Sequence, residues 1–199
     1  MKRILVICST LVLFSLGAKS QISYGVKVGF NASNVSNSDG KTLSGGHVGG
    51  LVNYALSKNF ALQGEVLYST QGCRYKAGEF GPFSLSLNST LSYINIPILA
   101  QYYFTPGFYV EAGPQIGFLT SAKLDNYDPA DNDGHAYKDY FKSTDFSGGI
   151  GLGYIFKKIN LGIDARYTFG LSNIAKESDD KLHNKVFQLG VFYKFGKKK

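Results

Sequence analysis

Six ionisable residues stand where a strand-forming chain tolerates charge least. Lys27, Arg166 and Lys194 supply cations and Glu65, Glu111 and Asp164 supply anions, and all lie in stretches that otherwise alternate apolar with small or uncharged polar residues. Side chains in a strand point to opposite faces with period two, which puts all six on the polar face. Enclosed together, three cations and three anions are held most stably as ion pairs, because an unpaired buried ion costs several kcal/mol. The spacing therefore allows two chemistries. One is a structural plug of salt bridges, with Gln63, Gln101, Gln115 and Gln188 completing its hydrogen bonds. The other is a charged constriction that gates small solutes.

Other residues could in principle do chemistry. His47, His135 and His183 fall near one rim of the elements described below, with Ser44 close to the first and Asp179 and Asp180 close to the last. A rim-located hydrolase would need a nucleophile and a base in hydrogen-bond reach, which closeness in sequence does not provide. They read as three solvated loop or rim histidines, and no catalytic residue is assigned: the chain is not read as an enzyme. Asp125, Asp128, Asp131 and Asp133 precede Gly134, but the EF-hand pattern fails, with Pro129 at the first ligand position and Tyr140 at the twelfth. No metal site and no cofactor is expected. Tyr127, Tyr137, Tyr140 and Phe141 in the same segment suit recognition of another protein or of a glycan.

The elements that position these residues are strands. Ile159, Leu161, Ile163, Ala165, Tyr167 and Phe169 alternate with Asn160, Gly162, Asp164, Arg166 and Thr168, and Tyr24, Val26, Val28 and Phe30 alternate with Gly25, Lys27, Gly29 and Asn31. The pattern predicts strands at Tyr24 to Asn31, Gly45 to Leu56, Asn59 to Thr70, Ser86 to Phe104, Gly107 to Thr120, Asp145 to Phe156, Ile159 to Gly170, and Lys185 to Phe195. Short connections (57–58, 105–106, 157–158) alternate with long ones (32–44, 71–85, 121–144, 171–184) that are rich in Gly, Ser, Asn, Asp or Lys. An even strand count with short turns at one end and long loops at the other predicts an eight-stranded antiparallel up-and-down transmembrane β-barrel. The short turns would face the periplasm. Pro97 and Pro114 interrupt strands and are expected to mark bulges or local bends.

Outward-facing side chains form a depth profile. Tyr24, Tyr54, Phe60, Tyr102, Phe104, Phe108, Tyr154, Phe156, Tyr193 and Phe195 lie near the short turns, and Tyr68, Phe118, Phe146, Tyr167, Phe169 and Phe187 near the long loops. Between them run Val26, Val52, Leu62, Ile96, Ile98, Val110, Ile150, Leu152, Ile163 and Leu189. Aromatic rings favour the headgroup level and aliphatic chains the hydrocarbon. A soluble barrel of lipocalin type would show the same alternation inside out. Against it stand a polar face rich in glycine, including Gly113, Gly117, Gly149, Gly151, Gly153 and Gly162, and an apolar face nearly free of charge.

The amino terminus reads as an export signal. Lys2 and Arg3 precede an apolar run from Ile4 to Gly17 and then Ala18-Lys19-Ser20, a small-x-small cleavage site. This divides the chain into a cleaved signal peptide (1–20) and a barrel domain (21–199). No later segment approaches the roughly 20 apolar residues of a spanning helix. Cys8 lies in the signal, which leaves Cys73 as the thiol of the mature chain and rules out an internal disulfide. The formal charge of +7 becomes +4 when Lys2, Arg3 and Lys19 depart, and the scattered lysines do not point to nucleic acid.

The segments Gly25-Val26-Lys27-Val28-Gly29-Phe30-Asn31, Tyr93-Ile94-Asn95-Ile96-Pro97-Ile98-Leu99 and Tyr109-Val110-Glu111-Ala112-Gly113-Pro114-Gln115-Ile116-Gly117 resemble the small outer-membrane β-barrel proteins of the porin-like family common in Bacteroidetes. The resemblance covers the mature chain. It implies location in the cell outer membrane, contact with outer-membrane lipid, and both prolines as family features. The family usually carries an acid where this chain has Asn95, and its chains usually stop near the last aromatic, whereas Gly196 and three lysines follow Phe195 here. Resemblance supplies no molecular activity. Eight strands leave an interior just wide enough for side chains to fill it, which favours the plug and a structural or loop-mediated interaction role. Passive porin-like transport of small solutes is the alternative, followed by a part in a protein export apparatus.

Overall fold

The period-two alternation closes on itself. In a computed structural model the strands are β1 (Ile22–Val35), β2 (Lys41–Ala55), β3 (Phe60–Phe80), β4 (Phe83–Tyr103), β5 (Phe108–Leu124), β6 (Thr144–Phe156), β7 (Leu161–Gly170) and β8 (Asn184–Phe195). Each pairs antiparallel with its neighbours in sequence, and β1 also pairs with β8, from Tyr24 opposite Phe195 to Val35 opposite Asn184. The result is a closed barrel of eight strands. Closure leaves no bare sheet edge along the wall, as a strand protein in hydrocarbon requires. The structure describes residues 22–36, 41–80, 83–124, 138, 140–175 and 182–195. The expected signal peptide, His135, the aspartates from Asp125 to Asp133, Tyr127, Tyr137, Asp179 and Asp180 lie outside the described residues.

The wall sorts its side chains as the pleat dictates. Along β8 every second residue is buried, from Asn184 to Lys194, and every other one is exposed, from Lys185 to Phe195. The exposed set is apolar around the whole circumference, including Val28, Val66, Ile98, Val110, Ile150, Leu152, Ile163 and Leu189. A continuous apolar outer surface of this extent marks contact with a partner or a membrane.

Three tight turns close one end. At residues 56–59 the Ser57 hydroxyl accepts hydrogen bonds from the Asn59 and Phe60 amides at 3.3 and 3.0 Å. The turn at 104–107 ends on Gly107, whose φ of 143° suits glycine. The turn at 157–160 ends on Asn160 in the left-handed region, with φ 55°, where asparagine is favoured among residues with a side chain. The expected start of the seventh strand is therefore corrected: Ile159 belongs to the turn and β7 begins at Leu161.

The other end departs further from expectation. Residues 71–85 do not form a long loop. β3 and β4 continue as a two-stranded ribbon paired as far as Phe80 opposite Phe83, past the last β2 partner of β3 at Arg74 and the last β5 partner of β4 at Ser89. Phe83, Leu85 and Leu87 continue the alternation that the neighbouring glycines obscure. The prolines also behave differently from expectation. Pairing lapses between Gly64–Ile98 and Leu67–Asn95, and again between Pro97–Gln115 and Ala100–Ala112, yet the register is the same on both sides of each gap. The missing proline N–H removes a rung of the ladder without inserting a residue.

Candidate functional site: the barrel interior

The interior is built from the inward halves of the strands. Lys27 enters from β1, Glu65 from β3, Glu111 from β5, and Asp164 and Arg166 from β7, all with side chains of 0% exposure. Arg166 is the hub. Its Nη1 and Nη2 donate to Glu65 Oε2 and Oε1, both at 2.9 Å, and its Nε donates to Glu111 Oε1 at 2.8 Å. Lys27 Nζ lies 2.6 Å from Asp164 Oδ2 and 3.6 Å from Glu65 Oε1. One connected network thus joins groups from β1, β3, β5 and β7, with β3 and β7 on opposite sides of the barrel. Bidentate, charge-assisted contacts of this kind are the strongest polar interactions a protein interior offers.

Lys194 stands apart from this network. Among the described residues it makes no ion pair with the three carboxylates; its Nζ sits 5.5 Å from the centre of the Phe192 ring, a cation–π contact. Three cations and three anions do point inward, Lys194 among them, while the ion-paired cluster holds two cations and three carboxylates. Reach decides this: Lys194 lies at the short-turn end of β8, where its amide donates to Asn160 O at 3.0 Å.

Amides extend the network toward the short turns. Gln63 Nε2 donates to Glu65 Oε1 at 2.7 Å and Gln101 Nε2 to Glu111 Oε2 at 2.9 Å. Asn53 Nδ2 donates to Gln63 Oε1 and Gln101 Oε1 at 3.1 and 2.9 Å, and the Tyr103 hydroxyl to Gln101 Oε1 at 2.9 Å. A second set lies toward the loops. Asn31 Nδ2 donates to Gly46 O, Ser69 Oγ and Thr70 O at 3.0, 2.9 and 3.0 Å, while Asn31 Oδ1 meets His47 Nδ1 at 2.7 Å and accepts from Gln188 Nε2 at 3.3 Å. Gln115 Nε2 donates to Ser147 Oγ at 3.2 Å.

Apolar clusters lie at both ends. Leu51, Tyr109 and Phe192 pack together toward the short turns, against Tyr103 and Ile155. Toward the loops, Val35, Cys73, Leu91, Tyr93, Leu119 and Ala122 pack around Ile174, with Phe141 and Leu182 against them. Ile174 comes from the β7–β8 connection and is held there by its backbone, its carbonyl accepting from Lys142 N at 2.8 Å and its amide donating to Leu182 O at 3.0 Å. Glycine supplies the room for these contents. A methyl group at Gly190 would stand 2.6 Å from Asp164 Oδ1 and 2.7 Å from Lys27 Cε; one at Gly162 would enter the Phe192 ring, and one at Gly153 the Tyr109 ring.

The histidine reading needs correction. His47 is a buried interior residue bound to Asn31, not a solvated rim group, and His183 is half-buried with Nδ1 3.0 Å from Ser172 O. Ser44 points away from His47, being exposed where His47 is buried. The inward aromatics Tyr93, Tyr109 and Phe192 are absent from the sequence-derived set of interior residues, although they share parity with Asn95, Glu111 and Lys194.

The outer surface carries rings at the short-turn end. Tyr24, Phe60, Tyr102, Phe104, Phe108, Tyr154, Phe156, Tyr193 and Phe195 are exposed, and Tyr54 is half-buried. They touch laterally, Phe60 with Tyr102 at 4.9 Å between centroids, Tyr154 with Phe156 at 4.9 Å and Tyr193 with Phe195 at 5.2 Å. A ring belt beside an aliphatic band is what a membrane–water boundary selects.

Residues 15–176 match the family model described as outer membrane protein beta-barrel domain. The chain belongs to this family. It is an outer-membrane β-barrel, and the cell outer membrane is its location. Among solved structures, it is similar to Ail, the attachment invasion locus protein of Yersinia pestis, in complex with the heparin analogue sucrose octasulfate (18% identity, 88% of this chain and 99% of that one covered, TM-score 0.49). It is similar also to Neisserial surface protein A (15% identity, 87% and 97% covered, TM-score 0.49) and to outer membrane protein W of E. coli (17% identity, 89% and 100% covered, TM-score 0.42). Comparison with curated proteins finds no match.

Proposed function

We propose that this outer-membrane barrel has a structural or loop-mediated interaction role, with a lumen closed to general diffusion. The observation that carries the reading is the connected network of Lys27, Asp164, Glu65, Arg166 and Glu111, set between two apolar clusters. A solute crossing the interior would have to part charged groups that satisfy one another, and a single exposed carboxylate or guanidinium in so confined a space restores less than the pairing it breaks. Residues 1–20 are taken as a cleaved export signal and 21–199 as the barrel domain. No catalytic role is assigned, and the resemblance of the segments at 25–31, 93–99 and 109–117 to the small porin-like barrels of Bacteroidetes supports a reading as one of that group.

Interaction is assigned to the loop end, where Tyr140 stands exposed beside the packed Phe141. Loops on a rigid wall are where recognition usually resides, with another protein or a glycan as the partner. Planar-bilayer recording tests the closed lumen. The purified protein is expected to give no steady conductance. Steady single-channel currents abolished by Glu111→Ala or Arg166→Ala would replace this reading with passive transport of small solutes.

A further inference from the structure

We propose that Lys58, Lys157 and Lys158 form a basic rim that binds the anionic headgroups of phospholipids in the leaflet facing the short turns. This rests on the outer-membrane placement of the barrel and on the short turns facing the periplasm. The turns at 56–59, 104–107 and 157–160 hold these three lysines and no acid, and all three lysines are exposed. Among the described residues Glu65, Glu111 and Asp164 are enclosed and Asp145 begins β6 at the loop end, and in sequence the remaining acids fall in or next to the segments between the strands joined there, mixed with Lys and Arg. The three short turns thus carry charge of one sign. In sequence, Lys197, Lys198 and Lys199 come soon after Phe195, the last residue of β8.

Position selects the ligand. Phe60 follows Lys58 by two residues and Phe156 immediately precedes Lys157, and both rings are exposed members of the aromatic belt. Such rings lie at headgroup level, so the ammonium groups one or two residues beyond them reach the phosphate layer by extending their stems along the boundary. The β2–β3 turn and the β6–β7 turn lie four strands apart in a barrel of eight, on opposite sides of the rim. A single docked protein or one soluble anion would meet only one side. A leaflet surrounds the barrel and meets both. Lysine is a compact point charge with no planar fork, suited to a phosphodiester that approaches from any azimuth.

The full chain, reconstituted in phosphatidylcholine vesicles with trace spin-labelled phosphatidylglycerol or spin-labelled phosphatidylcholine, tests the proposal. At low salt the protein is expected to retain phosphatidylglycerol on the order of tenfold better than phosphatidylcholine, and near parity in about 1 M salt. The variant Lys58→Gln/Lys157→Gln/Lys158→Gln is expected to fall to within about twofold of parity, while Lys123→Gln/Lys142→Gln, altered at the opposite rim, keeps the preference. Equal retention of both lipids by the unaltered chain, or an undiminished preference in the triple variant, would overturn the proposal and leave the barrel's placement standing. A chain that failed to insert would overturn both.

Discussion

Arg166 and Glu65, from strands on opposite sides of the barrel, meet through two parallel hydrogen bonds of 2.9 Å. The pair spans the interior and ties β7 to β3, which share no rung of the sheet. Glu111 and Lys27 then attach to its two ends. Hydrogen bonds of the ladder fix each strand to its neighbours; this pair fixes the cross-section.

Removing the hub should therefore cost more than removing any rung. Arg166→Met leaves Glu65 and Glu111 without their guanidinium, and unfolding from detergent micelles or vesicles should show a loss of about 3–5 kcal/mol. Adding Glu65→Gln and Glu111→Gln to that variant should recover part of the loss, since the uncompensated charges disappear. A single variant as stable as the parent would show that the pair carries no weight.

The glycines opposite the inward aromatics should behave as sockets. Gly162→Ala drives a methyl group into the Phe192 ring and is expected to destabilise the barrel by about 1–3 kcal/mol. Combining it with Phe192→Leu should offset much of that cost. Additive losses in the double variant, read from the same unfolding titrations, would contradict a direct contact.

Asn31 joins three strands by its side chain, giving hydrogen bonds to Ser69 and Thr70 and meeting His47. Asn31→Ala leaves several buried partners unsatisfied, and a cost of about 2–3 kcal/mol is expected. Hydrogen exchange should quicken locally at 46–47 and 69–70, leaving the short-turn half unchanged.

Much of this was legible in the sequence because a strand wall writes its two faces at period two. The count of strands, their order, and the inward parity of Lys27, Glu65, Glu111, Asp164 and Arg166 all follow from that period. His47 also shares parity with Gly49 and Asn53, so its burial was readable; closeness to a predicted loop obscured it. The ribbon at the ends of β3 and β4 was hidden by Gly72, Gly78 and Gly81, which resemble loop composition although Phe83, Leu85 and Leu87 keep the alternation. Pairing was not legible. Whether Lys194 reaches a carboxylate depends on its height in the barrel, and the packing of Phe192 over Gly162 depends on the β7–β8 register; parity determines neither.

The apolar face meets acyl chains while the ionised groups are enclosed. The chain contains no tryptophan, so Leu152→Trp, on the outer face at mid-wall, places a single reporter where the claim is decided. In vesicles of brominated phosphatidylcholine its fluorescence should be strongly quenched and indifferent to aqueous acrylamide. Quenching by acrylamide with no response to the brominated chains would contradict the account.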